Sequence, residues 1–183
     1  THGDDKDDGN CTSSHCSLRE AVNAANMATD TDIIRFASDL DVVLTSALPL
    51  ITQPLTIEGK PHKVALDGAG KVRVLHSQAK LLVRDLTIRN GNSGAATGGG
   101  VLATGGELEL QGVTLLKNTA GTKGGGVFSA VPTAISGCTF DGNKQTTDFD
   151  GFGAGMFLDA KGTVADSVFK SNVAVTYAGG FGC

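Results

Sequence analysis

Tryptophan is absent from this 183-residue chain and tyrosine occurs once, at Tyr177, so the flat aromatic platforms that stack on sugar rings are scarce. A core must instead be assembled from Val, Leu, Ile, Ala and eight Phe. Basic residues are outnumbered, 15 against 19 acidic ones, for a net charge of −4, and a nucleic-acid partner, whose phosphates demand a basic face, is excluded. No stretch approaches the roughly 18 consecutive apolar residues that a membrane-spanning helix needs. The first ten residues are acidic and unlike a secretory leader, so an exported chain is expected to have lost its signal already. There is no Gly-x-Ser-x-Gly elbow, and His2, His15, His62 and His76 are scattered. No arginine follows Arg89.

Cysteine is sparse, and its spacing is informative. Cys11 and Cys16 stand five apart on either side of a polar loop, and no histidine-containing quartet completes zinc ligation. The spacing predicts a short disulfide and hence an oxidising compartment, with two free thiols as the alternative. The sequon Asn10-Cys11-Thr12 would accept a glycan in a eukaryotic host.

Glycine is abundant and unevenly placed: five of the 26 fall in residues 1–90 and 21 in residues 91–183. The first part contains one helical pattern. Ser17 and Glu20 make a capping box, and Leu18, Ala21, Val22 and Ala25 recur on one face, predicting a helix from Leu18 to Met27. From Asp32 onward the chain reads as short period-two strands, such as Leu55-Thr-Ile57, Val64-Ala-Leu66 and Leu82 to Ile88, broken by Gly, Asn, Asp or Pro.

Internal repetition decides the architecture. Gly112 to Asn118 (GVTLLKN), Gly137 to Asn143 (GCTFDGN) and Asp166 to Asn172 (DSVFKSN) align, and glycine pairs precede Val101, Val127 and Phe181, with Gly153-Ala-Gly155 before Met156. Leu115, Phe140 and Phe169 are 25 and 29 residues apart. Leu86-Thr-Ile88 lies 27 residues before Leu115, and Leu55-Thr-Ile57 lies 31 before that, which sets them in one column.

This period predicts an all-β fold: a right-handed parallel β-helix of about five coils stacked about 4.8 Å apart, in a single domain spanning 1–183. Residues 1–31 would form the disulfide loop and the capping helix, and 32–183 the coils, with strands opening near Asp32, Lys63, Gly100, Gly126 and Gly155. Leu86, Ile88, Val113, Leu115, Cys138, Phe140, Ser167 and Phe169 are expected to point inward, and Thr87, Thr114, Thr139 and Val168 outward. Asn118, Asn143 and Asn172 would stack at one corner as a structural ladder of side-chain amides.

The stretch Cys11 to Asn26, CTSSHCSLREAVNAAN, resembles the N-terminal signature of CSLREA-domain proteins, and VVLTSALPLITQPLTIEG from Val42 to Gly59 is similar to their opening coils. The Gly-Gly-Val and Phe-x-x-Asn elements resemble the polymorphic outer-membrane protein repeat, although the first repeat carries Leu115 in place of Phe. Together these segments cover nearly the whole chain. The resemblance implies a right-handed β-helix of the pectin-lyase-like class, exported to the cell surface or medium, with a role in adhesion or surface architecture and no catalytic set.

Asp4, Asp5, Asp7 and Asp8 invite a calcium reading. An EF-hand loop counted from Asp4 would put Lys6 and His15 at positions that require oxygen ligands, leaving a looser calcium site at the disulfide loop against a solvated acidic turn; no cofactor is expected. A polysaccharide lyase on this fold would need carboxylates holding calcium and an arginine acting as base. Arg73, Arg84 and Arg89, with Asp67 and Asp85 nearby, are read as surface ion pairs, so the chain is expected not to be an enzyme. Phe149 and Phe152, in the longest insertion, Gln145 to Gly153, are the candidate contact loop, the alternative being that they fold back onto the coil.

Two functions follow as expectations. The first is a non-catalytic extracellular structural or adhesive module, partnered by other protein subunits or surface components, whose open last coil, carrying Phe181 and Cys183, is expected to be covered either by further residues of a longer parent or by another subunit stacked end to end. There Cys183 would bridge chains or remain a free thiol, and Cys138 would be a buried thiol. The second is a module that binds or cleaves acidic polysaccharide.

Overall fold

The computed structural model describes residues 9, 11–12, 15–148, 152–175 and 178–183. It is a parallel β-helix of six rungs with a single N-terminal helix. Three sheets run its length, and every strand pair is parallel. The first holds Asp32–Arg35, Leu55–Glu58, Leu81–Arg84, Leu108–Gln111, Thr133–Ser136 and Gly162–Ala165. The second holds Leu40–Val43, Val64–Asp67, Thr87–Arg89, Thr114–Leu116, Thr139–Asp141 and Val168–Lys170. Leu75–Ser77, Val101–Ala103, Val127–Ser129, Met156–Leu158 and Phe181–Gly182 form the third.

Strand alternation sends one residue in two to the axis, and stacking in register lines like residues up. Ile34, Ile57, Val83, Leu110 and Ile135 make one buried column, and Val42, Leu66, Ile88, Leu115 and Phe140 another. The expected inward set Leu86, Val113 and Cys138 is buried as well, at the turn between the first two sheets. That turn needs a left-handed residue: Asp85, Gly112, Gly137 and Asp166 take φ of 55°, 61°, 59° and 48° at equivalent positions. Removing one of these core side chains, as in Leu66→Ala, would cost about 2–5 kcal/mol.

One register expectation is corrected. Leu55-Thr-Ile57 does not share a column with Leu86-Thr-Ile88: Ile57 pairs with Val83 in the first sheet, while Ile88 pairs with Leu66 in the second. Two strands of one coil, Leu81–Arg84 and Thr87–Arg89, have the same alternation and are separated by a two-residue turn, so the 31-residue step crossed from one sheet to the next. The extra rung, six rather than about five, comes from this segment.

The helix Leu18–Met27 seals the N-terminal end. Ser17 accepts from the Glu20 N–H at 3.2 Å and the Glu20 carboxylate accepts from the Ser17 N–H at 2.8 Å, completing the capping box. Leu18 and Val22 are fully buried against the first coil. Arg19 donates to the Ala47 and Ser46 carbonyls, and Asn26 bonds Leu50 O and Thr52 N at 2.7 and 2.9 Å. These contacts fasten the helix across the coil end. Among the described residues no helix is long and apolar enough to cross a membrane.

Candidate functional site

Three of the five residues weighed for a lyase site, Arg89, Asp85 and Asp67, lie on or beside an open groove of about 820 Å³ on the outer face of the second sheet. Thr87 and Thr114 form its floor, side by side in the ladder. Arg89 donates to Asp67 at 2.7 Å and to Asp41. The Asp67 hydrogen bond, with the charges of Asp41 and Asp67, outweighs burial and raises the Arg89 pKa. A base must be uncharged to take a proton, and this guanidinium is held in its charged form. Burial would raise the Asp67 carboxyl, yet hydrogen bonds from Ala69 N–H, the Asn90 amide and Arg89 bring it below the usual carboxylate value. On the rim, Lys60 pairs with Asp85 at 2.8 Å and Asp39 accepts from the Lys63 N–H.

Arg84 and Arg73 are elsewhere. Arg84 shares Glu58 with Arg35 on the outer face of the first sheet, at 3.2 and 2.8 Å. Arg73 donates to the Thr97 and Gly98 carbonyls, bracing a loop, and burial lowers its pKa. The five candidates therefore do not converge.

The asparagine corner is a continuous hydrogen-bond chain. Asn118 donates through its backbone N–H and its Nδ2 to Asn143 Oδ1, both at 3.0 Å. Asn143 repeats the pattern onto Asn172 Oδ1 at 2.9 Å. The second hydrogen of each amide goes to a carbonyl of the coil before, Ile88, Leu115 and Phe140 in turn. The chain starts where the Gly91 N–H donates to Asn118 Oδ1.

On the third sheet the outward position carries Leu102, Phe128 and Phe157 in register. Phe128 and Phe157 stack at 5.9 Å, and Lys123 lies 4.8 Å over the Phe157 ring. Phe152 packs on Phe157 at 6.0 Å and so folds back onto the coil; Phe149 lies outside the described residues. The sequence signal for this row was an apolar residue where a strand facing water would be polar, as in Val-Phe-Ser and Met-Phe-Leu.

Cys11 and Cys16 form the expected disulfide. Cys138 is a buried thiol that donates to Ser136 O and Leu110 O, and Cys183 is an exposed thiol. Asp4, Asp5, Asp7 and Asp8 lie outside the described residues, and among the described residues no cluster of three or more His, Cys, Asp or Glu is placed to hold a metal.

The last coil is the most exposed apolar surface of the core columns. Val164 is 39 % and Phe181 42 % exposed, whereas Ile135 and Met156 one rung below are 2 % and 0 % exposed. Phe169 stacks face to face on Phe140 at 4.4 Å, lies 6.3 Å from the tilted Phe181 ring, and is half-buried. Comparison with protein-family models, with curated proteins and with solved structures finds no match to this chain.

Proposed function

We propose that this chain is a non-catalytic structural or adhesive module acting outside the cell, a β-helix sealed by a helix at its N-terminal end and partnered by other protein subunits or surface components. The observation that carries the reading is that the candidate lyase residues serve the coil instead of converging on one point: Arg89 is paired with Asp67 and Asp41, Arg84 with Glu58, and Arg73 braces a loop through the Thr97 and Gly98 carbonyls. The disulfide suits an oxidising compartment and supports export. The resemblance of Cys11 to Asn26 and of the coil repeats to surface proteins points the same way.

A second reading keeps polysaccharide as a ligand. The groove over Thr87 and Thr114 favours it, since aligned hydroxyls one rung apart would meet successive sugar units. Incubation with acidic polysaccharides, followed by absorbance of unsaturated products, a reducing-end assay and affinity electrophoresis, tests both. The structural reading expects no product; product formation would overturn it, and retardation without product would establish the second reading as a binding function.

A further inference from the structure

We propose that the Cys11–Cys16 disulfide is a thiol-exchange site, at which a small thiol of peptide size opens the bond by attacking the Cys11 sulfur and stays on Cys11 as a mixed disulfide. Such a site stands apart from the structural role, and either can fail without the other.

The two cysteines differ in access. Cys11 is exposed, whereas Cys16 is 8 % exposed and belongs to the core cluster that contains Leu18, Ala21 and Val22. Exchange requires a thiolate to reach one sulfur of the bond, so the exposed cysteine is the one attacked.

The approach is open. A groove of about 420 Å³ lies between the helix Leu18–Met27 and the strand Asp32–Arg35, with both cysteines in its wall. Its helical side carries Ala21, Ala24, Ala25 and Ala28, spaced three and four apart so that they share one face. Alanine has no side chain beyond Cβ, so the groove beside the disulfide stays unfilled. A space of this size takes a molecule of a few residues.

The leaving side is prepared as well. Cys16 directly precedes the N-cap Ser17, at the end of a ten-residue helix where unpaired N–H groups carry partial positive charge. The Leu18 N–H has no acceptor among the described residues. It stands two positions after Cys16, the offset at which a short side chain bonds the backbone ahead of it. The Glu20 carboxylate, the negative group of this turn, accepts from the Ser17 N–H at 2.8 Å and lies 3.7 Å from His15 Nδ1. A thiolate left on Cys16 therefore meets a donor and a favourable dipole, and a better stabilised thiolate leaves faster. The cysteines are only five residues apart, so the fold gains little from the bond and opposes its opening weakly. Arg19 and Asn26 still fasten the helix when the bond is open.

In the first step the incoming thiolate bonds to Cys11 Sγ, the Cys11–Cys16 bond breaks, and its electron pair stays on Cys16 Sγ. A second thiolate attacks the sulfur of the attached thiol and releases the Cys11 thiolate. Two small thiols are thereby oxidised to one disulfide and the protein disulfide is reduced to two thiols, with protons exchanged with water.

Glutathione is the probe, applied to the 183-residue chain carrying Cys183→Ser, which removes the exposed free thiol. Samples quenched with iodoacetamide and mapped by mass spectrometry should carry glutathione on Cys11 and the alkyl group on Cys16. At neutral pH the bond should open about tenfold or more faster in the folded chain than in the same chain unfolded in urea, because only the folded chain has the helix end behind Cys16. Ala24→Leu, which fills the groove from an exposed helical position, should slow opening by glutathione several-fold while leaving circular dichroism unchanged. Slower opening in the folded than in the unfolded chain, glutathione on Cys16 with the alkyl group on Cys11, or indifference to Ala24→Leu would overturn the proposal.

Discussion

The Asn143 side-chain oxygen accepts two hydrogen bonds from one residue, Asn118: its backbone N–H and its amide, each at 3.0 Å. Asn143 is fully buried, and its own amide supplies the Leu115 carbonyl and Asn172. One side chain thus satisfies groups on the coil before it and on the coil after it.

Replacing Asn143 by Ala strands the Asn118 N–H and one hydrogen of its buried amide in the interior. Two buried groups without partners cost about 1–3 kcal/mol each. Urea denaturation of Asn143→Ala should show a loss of about 2–5 kcal/mol, and an unchanged midpoint would mean that water replaces the ladder.

Glycine at 126 is under a different constraint. A Cβ there meets Gly155 O at 2.4 Å, so Gly126→Ala must push two coils apart and should cost about 1–3 kcal/mol or prevent folding. The Tm of the purified variant, beside that of the native chain, measures the cost.

The disulfide closes a short loop next to the helix cap. Its removal in Cys11→Ser/Cys16→Ser should lower stability by about 2 kcal/mol, the small figure expected for a loop of this length. Differential scanning calorimetry of the native and variant chains decides it, and helix loss in circular dichroism at lower temperature than sheet loss would show that the end seal opens first.

The two remaining thiols should react very differently. Cys138 is buried, and burial, against hydrogen bonds from nearby backbone, pushes its pKa up; Cys183 is exposed. Iodoacetamide at neutral pH should label Cys183 quickly and Cys138 only in denaturant, as read by mass spectrometry.

Acid should weaken the second sheet. The Asp67 pKa is lowered in the folded state, so its contribution is present above the unfolded value of about 3.9 and disappears as pH falls through the folded value. The loss of stability between about pH 5 and pH 2 should be shallower in Asp67→Asn, measured by urea unfolding at each pH.

Much of this architecture was readable from the chain because a solenoid writes its period into its sequence. Asn118, Asn143 and Asn172 identified the corner, and Ser17 with Glu20 identified the helix start. The early coils were harder, since Leu55 to Ile57 carries the same alternation as its neighbours and no asparagine marks its corner. The partners of Arg89 were hidden for another reason: Asp41 and Asp67 lie 48 and 22 residues away and meet it only because successive rungs stack.

The Leu115–Phe140 step places 25 residues in one turn, and each turn touches only its two neighbours. Under tension between the two ends, the molecule would therefore yield by peeling and not by shearing as a block. The helix that Arg19 and Asn26 pin fastens the first turn, so that turn would be released after its less tightly held neighbours. Each release would pay out about 85 Å of extended chain. A tether of this kind lengthens under load while its remaining turns stay folded.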